Sequence, residues 1–464
     1  MTDATLAAPP RPYKGLAAFA DSELDALFFF GREREIEVIA ANLIAARLTV
    51  LYGPSGGGKT SLLRAGVTQR LRKEGTAIAV VSNWSGDPIS GLLSAVEREV
   101  RRVAPDAASP PPGSVAEILS GWTRRLGADL YVVLDQFEEY FLYHGADGDA
   151  GPLAALAEVI RDPGTRVHAL LSVREDALAQ LDAFKTQLPG LFGNSLRLDR
   201  LDRRAATRAI RGPLERYNEL VAAEEAMEAE DELVEEILDS VEAGRIQLGD
   251  VGRGGADESP AERGRIEAPY LQLVLERLWD VETERGSTRL RLETLRELGG
   301  ASRIVEDHLE HAMAALSPGE KDAAAAMYNH LVTPSGTKIA HRAGDLARYA
   351  AVDEAEAQRV LERLARERIV RAGENGSAGA QYEIFHDVLA DAVLAWRTRH
   401  EADRRVEQER SEASQRQRRL LVASGASLAA VALLAGVLVY ALSQRSSARE
   451  NAREARAGDL VGLA

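Results

Sequence analysis

Eight consecutive residues, Gly53-Pro54-Ser55-Gly56-Gly57-Gly58-Lys59-Thr60, have the types and spacing of G-x-x-x-x-G-K-[ST]. Glycines let the backbone curl until successive N–H groups point inward at phosphate oxygens, and the helix that follows adds the positive end of its dipole. Lys59 reaches the β- and γ-phosphates in such a loop, and the Thr60 hydroxyl holds Mg²⁺. The phosphate-facing run therefore extends from Gly53 to Ser61. At ordinary residue frequencies the bare pattern arises by accident in a chain this long with odds of about 1–2%. Here it lies between the apolar run Leu48–Tyr52, of strand length, and a helical stretch from Lys59 to about Arg72. A flexible glycine linker does not account for that context, and the chemistry expected is binding of a nucleoside triphosphate.

Such a site needs a carboxylate at the end of a neighbouring strand. Asp135 directly follows LYVVL and is the residue expected to hold the magnesium shell. Glu138 and Glu139 stand three and four residues later; either could orient or deprotonate the attacking water, and spacing does not choose between them. Arg174 ends the apolar run RVHALLSV, where a cation would sit beside the γ-phosphate and sense whether it is present. His308 and His311 are three apart on a helical stretch, but with no third ligand evident they read as polar-face histidines rather than a metal pair.

These residues need a sheet to carry them. Leu48–Tyr52, Ala77–Val81, Leu130–Leu134 and Arg166–Val173 are continuous apolar runs separated by helical patterns, which predicts a parallel sheet covered on both faces. The domain so defined covers residues 31–200, after a lead segment of residues 1–30 that carries the aromatic cluster Phe28-Phe29-Phe30. From 201 to 315 the pattern is helical: Ala205–Asn218, an acidic helix over Glu224–Val241, a Gly- and charge-rich loop over Gly249–Glu267, then Tyr270–Trp279 and Ile304–Leu316. Residues 316–396 read as three helices followed by a hairpin, Ile369–Arg371 with Tyr382–Phe385, which is the winged-helix order.

The 464 residues carry a formal net charge of −15, which argues against broad binding to nucleic acid. The expected third helix of the winged-helix region carries Glu354, Glu356, Glu362 and Glu367, so no nucleic-acid partner is expected there either. Cysteine is absent, which excludes disulfide scaffolds, thiolate zinc sites and cysteine nucleophiles. The N-terminus lacks the basic start and apolar run of a secretory signal, so the bulk of the chain is expected in the cytoplasm.

Leu420–Leu442 is a run of 23 residues with no charge. As a helix it would be roughly 35 Å long, enough to cross a hydrocarbon core of about 30 Å. It is expected to be a single-pass transmembrane helix, between a charged juxtamembrane helix at 397–419 and a short charged tail at 443–464. Arg416, Arg418 and Arg419 precede it, while Arg445 and Arg449 follow, an asymmetry that favours a cytoplasmic N-terminal side.

The segments YKGLAAF, FFFGRERE and VLYGPSGGGKTSLLRAG, followed by VVLDQFEEYF and LLSVRED, resemble the novel STAND NTPases of bacteria. The resemblance spans Pro12 to Trp396 and is most specific at the GRE, P-loop and DQFEE segments. It implies that a P-loop domain, a helical domain and a winged-helix domain close over one nucleotide. It further implies a slow, regulated ATPase that rests with ADP and is active with ATP, with homo-oligomerisation on activation and roles in bacterial stress or defence signalling. ATP/ADP with Mg²⁺ are the cofactors so implied, and no guanine-reading N-K-x-D is present. Gly212-Pro213 looks like the Gly-x-Pro region, where Pro213 would pack on adenine. Phe385-His386-Asp387 looks like the Met-His-Asp element with Phe for Met, whose histidine reaches the β-phosphate of ADP. Relatives carry sensor repeats, whereas only 22 residues follow the apolar run here; the expectation is that the sensor or effector is another protein or that the chain is shortened. Two other functions fit the same residues: a membrane-tethered ATPase doing mechanical work, and a scaffold that keeps nucleotide for stability.

Overall fold

Continuous apolar runs of four to eight residues suit strands buried on both faces, and the chain builds its central sheet from them. The computed structural model describes residues 10–144, 151–162, 164–188, 190–242, 264–333, 338–372, 381–386 and 388–461. Strands β1 (Leu48–Gly53), β2 (Ala77–Val81), β3 (Leu130–Leu134), β4 (Val167–Arg174) and β5 (Ser195–Arg197) form one sheet in the order β2-β3-β4-β1-β5. All four pairings are parallel. Successive strand residues face opposite sides: Val50, Val132 and Ala169 enter one apolar cluster, Leu51, Val133 and Leu170 the other. Burying each Val or Leu contributes about 1.5–3 kcal/mol, so the sheet has both faces pinned. The short β5 was not legible in sequence. Ser-Leu-Arg carries no apolar run, and it is a strand because the edge of β1 offers it a partner from Val50 to Tyr52.

The strand order has a direct consequence. β4 lies between β1 and β3, with Gly53 opposite Arg174 and Leu134 opposite Leu171. The phosphate loop, Arg174 and Asp135 therefore leave the C-terminal ends of three adjacent strands, where open α/β sheets bind ligands.

Helices Arg203–Asn218, Asp231–Ser240, Ala268–Glu284, Leu292–Glu297 and Gly300–Ala314 follow. The acidic helix expected over 224–241 is shorter. Ala223–Glu225 is a 3-10 turn and β6 (Glu228–Ala229) pairs with β7 (Arg289–Leu290), so the α-helix covers only Asp231–Ser240. Asn218 explains the break, since its side-chain amide bonds both the N–H and the C=O of Met227 and holds an extended turn. The loop expected over Gly249–Glu267 lies outside the described residues up to 263. Helices Pro318–Leu331, Ala343–Ala350 and Glu354–Arg366 come next, with β9 (Val370–Ala372) and β10 (Gln381–Ile384) antiparallel and β8 (His341–Arg342) added on the other side of β10. One apolar cluster runs from Tyr13 through Tyr217, Trp279 and Tyr328 to Val393, so the lead segment, the helical part and this last part share a core. The Tyr13 hydroxyl donates to the Ile210 carbonyl at 2.7 Å and its ring meets Trp279 edge-on.

The chain divides into two compact units, Met1–Arg397 and Thr398–Ala464. The last element is one helix, Val388–Val461, without a break at the expected boundaries of 419 and 442. Between Leu420 and Leu442 the large apolar side chains among the described residues are exposed, from 56% at Leu442 to 72% at Leu428. Among the described residues it is the one helix long and apolar enough to cross a membrane, with a mean hydropathy of 2.2 over its most apolar window.

Candidate functional site

A cavity of about 330 Å³ opens over the C-terminal ends of β1, β3 and β4. Its phosphate end is the loop after β1. Gly58 stands in the left-handed region, φ +87°, at the start of the helix, and no side chain caps that end, which leaves its first amides facing the cavity. The helix is α-wound at Lys59–Ser61 and Gln69–Arg72 but π-wound over Leu62–Thr68, a wider winding that recurs at functional sites. Gly31 explains how the loop is braced from behind. At φ +87° it lies so close to the Ala205 carbonyl that a Cβ would stand 2.4 Å from the oxygen. That turn aims the next residue, Arg32, inward. Its buried guanidinium donates to the Gly57 carbonyl at 3.0 Å and the Asp199 carbonyl at 2.8 Å. Arg32 thus ties the phosphate loop to the end of β5; the GRE segment stood out in the sequence, but this role did not.

Lys59 is buried and its ammonium donates to the Gly53 and Pro54 carbonyls at 2.9 and 3.0 Å. Burial lowers its pKa, with Glu138 and then Asp135 acting to keep it charged. Asp135 is 1% exposed. Its Oδ1 accepts from the Gln136 amide at 3.0 Å, and its Oδ2 makes no hydrogen bond, with the Arg64 guanidinium 4.0 Å away. Burial pushes this carboxyl upward, against the charge of Arg64. That buried carboxylate oxygen, with the Thr60 hydroxyl close enough to favour its charged form although the two make no well-formed hydrogen bond, fits a Mg²⁺ shell completed by phosphate and water oxygens. Among the described residues no group of three acidic or histidine side chains would hold a metal without the nucleotide. Gln136, next in chain, has φ +53°, an uncommon conformation for a residue other than glycine and one that clusters at working sites.

The two glutamates that spacing left equivalent are separated by geometry. Glu138 lines the cavity, and its Oε2 accepts the backbone N–H of Arg174 at 3.2 Å. Burial raises its pKa, which Lys59 opposes. Glu139 is not among the lining residues; its carboxylate faces Arg371 of β9, 3.4 Å from Nη2. Arg174 lines the cavity at the end of β4, with its guanidinium bonded to Asp176 at 2.6 and 3.0 Å.

Ser55 to Ser61 all line the cavity, whereas Gly53 and Pro54 serve through their carbonyls. The Ser61 hydroxyl accepts the Phe19 amide at 3.1 Å, so it positions the lead segment as well. Leu16 to Phe19 and Phe28 to Phe30 form an apolar end of the cavity with Leu201, Pro269 and Leu271. Pro213 does not reach it. It is buried within the helix Arg203–Asn218, whose Ala209 does line the cavity, and the proline in the wall is Pro269. The opposite wall comes from far along the chain: Lys338, Arg371, Phe385 and His386. Sequence reading named His386 among these and missed the two cations. Asp387, its neighbour in the matched motif, lies outside the described residues.

His386 touches the phosphate loop itself. Its Nδ1 accepts the Val388 amide at 3.2 Å, which leaves the proton on Nε2. A Cβ built on Gly56, at φ +71°, would stand 2.1 Å from that Nε2. Gly58 shares the left-handed backbone, φ +87°, with nothing within 4 Å of an added Cβ. Gly56→Ala and Gly58→Ala should therefore share a backbone cost of about 1–2 kcal/mol. Gly56→Ala should lose about 1 kcal/mol more as His386 is displaced. Denaturant unfolding of the two variants reads the difference, and equal losses would mean that the histidine contact adds nothing.

The family described as Novel STAND NTPase 1 matches residues 12–421 of the chain. Among solved structures, the ADP form of the Aeropyrum pernix ORC2 protein is 18% identical, with 80% of this chain and 94% of that one covered at a TM-score of 0.40. A Walker-type ATPase of Pyrococcus abyssi is also 18% identical, covering 79% and 96% at a TM-score of 0.39. Cdc6p from Pyrobaculum aerophilum is 15% identical, covering 80% and 94% at 0.38. No protein of curated function matches the chain.

Proposed function

From the premise that this chain belongs to the novel STAND NTPase family, a family of P-loop ATPases, we propose that it is a membrane-anchored signalling switch set by ATP and ADP. One observation carries this reading. The cavity over the phosphate loop is walled on one side by the lead segment and on the other by His386, Lys338 and Arg371, hundreds of residues away. A nucleotide in it contacts both walls, so a change in the nucleotide changes how those walls meet.

In this reading Lys59 and the loop amides bind the phosphate tail, with Arg174 at its end. The Nε2–H of His386 donates to a phosphate oxygen, and the apolar slot around Phe28–Phe30 and Pro269 takes the adenine face. Thr60 and Asp135 hold Mg²⁺, which supplies neutralising charge to the phosphates when bound. Glu138 orients and deprotonates the attacking water, and turnover is slow because the closed walls exclude solvent. The three helices with β8, β9 and β10 act as a winged-helix unit that docks through His386. Leu420–Leu442 crosses the membrane, with the NTPase part on the cytoplasmic side. The partner is a protein sensor or effector, and copies of the opened form associate.

Moving a 1:99 population to 99:1 takes about 5.5 kcal/mol of differential binding. The γ-phosphate contacts to Lys59 and Arg174 are one source of it. Limited proteolysis should cut the full chain at different sites with ADP than with a non-hydrolysable ATP analogue, and identical digestion in both would defeat the switch.

A further inference from the structure

We propose that Arg371 is a positioning residue: through Glu139 it latches the C-terminal three-strand sheet to the end of β3, and a third phosphate in the cavity competes for it. The inference rests on the nucleotide-switch reading for that last step alone.

Four charged side chains from separate segments meet beside the cavity. Arg371 on β9 reaches across to Glu139, with Nη2 3.4 Å from Oε1, and its Nε is held by Glu383 of the adjacent strand β10. Lys338, its side chain 3% exposed, stands 3.3 Å from the same Glu383 oxygen. Two cations and two carboxylates thus balance among themselves. Within the quartet, only the Arg371–Glu139 pair joins the sheet domain to the C-terminal strands; both other pairs lie within the C-terminal part. Glu139 follows Glu138 directly, so whatever holds Glu139 also fixes the turn that presents Glu138 to the cavity. Burial pushes the Glu139 carboxyl up to about 7, with Arg371 holding it down, so the carboxylate depends on this partner for its charge. Arg371 and Lys338 also line the cavity that holds Lys59 and Arg174. An anion arriving there meets a guanidinium already engaged elsewhere, and the new bond is made at the expense of the Glu139 pair.

An ion pair at this depth, between the exposed and the fully buried cases, makes about a tenfold difference between latched and unlatched populations. The chain has no cysteine, so Arg98→Cys and Arg366→Cys, both at exposed helix positions, give two unique spin-label sites on the detergent-solubilised full chain. Glu139→Gln and Arg371→Gln should each raise the longer-distance population about tenfold, and the double variant should match a single variant rather than the product of both. Additive effects, or an unchanged distribution in Glu139→Gln, would overturn the latch. Without substitution, the non-hydrolysable ATP analogue should populate the same longer distance and ADP should not. If the two glutamine changes are coupled but nucleotides move nothing, the latch stands and the nucleotide switch falls. If nucleotides move the labels while Glu139→Gln leaves the distances and that response unaltered, the latch falls and the switch stands.

Discussion

Changing Glu138 to Gln is expected to lower ATP turnover about 10²–10⁴-fold, the usual contribution of a general base, while ADP still binds. The assignment rests on where the carboxylate is held. Its Oε2 accepts the Arg174 amide at 3.2 Å, so the end of β4 fixes the side chain over the cavity. A glutamine oxygen accepts the same amide, so geometry survives the change and only basicity is lost. Burial raises the Glu138 pKa, which strengthens it as a base, and the charge of Lys59 opposes the rise. The sign for stability follows from that direction. A carboxyl whose pKa is raised on folding favours the folded state below its unfolded value and loses that advantage as pH rises through the folded value. The glutamine variant should therefore be at least as stable as the parent at neutral pH. Single-turnover hydrolysis with a parallel ADP titration checks both halves. A larger loss of hydrolysis in Glu139→Gln than in Glu138→Gln would reverse the assignment.

The legible parts of this molecule are those whose physics is local. Ala77–Val81 and Leu130–Leu134 are strands with the bounds their apolar runs predict, because five apolar residues in a row have few other fates. The phosphate loop is a single stretch of chain, so its spacing carries its geometry. What escaped the sequence depends on distant partners. Lys338 and Arg371 are two of 57 basic residues, and nothing beside them in the chain marks them as cavity-lining; Arg32 and Arg64 lie in matched segments, but what they bond does not show there. Glu139 looked like a second base because its partner, Arg371, is hundreds of residues downstream. Pro213 matched a motif, but the helix around it turns the ring into the core, and Pro269 at the start of another helix takes the wall. His386 was reachable only through the family resemblance; its contact with Gly56 needed both ends of the compact unit at once.

Lys59→Ala should weaken ADP and ATP on the order of 100-fold, the cost of removing a charge-assisted bond to phosphate from a buried site. The free protein should scarcely notice. Lys59 bonds the Gly53 and Pro54 carbonyls, so its loss removes two hydrogen bonds. It also removes a charge whose burial lowers its pKa, and these two effects oppose each other. The ligand-dependent part behaves differently. At nucleotide one hundred times the parent Kd, binding stabilises the parent by about 2.7 kcal/mol; a Kd raised a hundredfold leaves about 0.4 kcal/mol. The expected result is a similar Tm without nucleotide and a nearly flat response to it in the variant. A nucleotide held only for stability would show the same melting curves, so signalling at the membrane separates the alternatives: the switch loses it with Lys59, and the scaffold keeps it. If Lys59→Ala retained the parent's full nucleotide shift in Tm, the phosphate tail would lie somewhere other than this loop. Glu138, Arg174 and His386 would then have no common substrate.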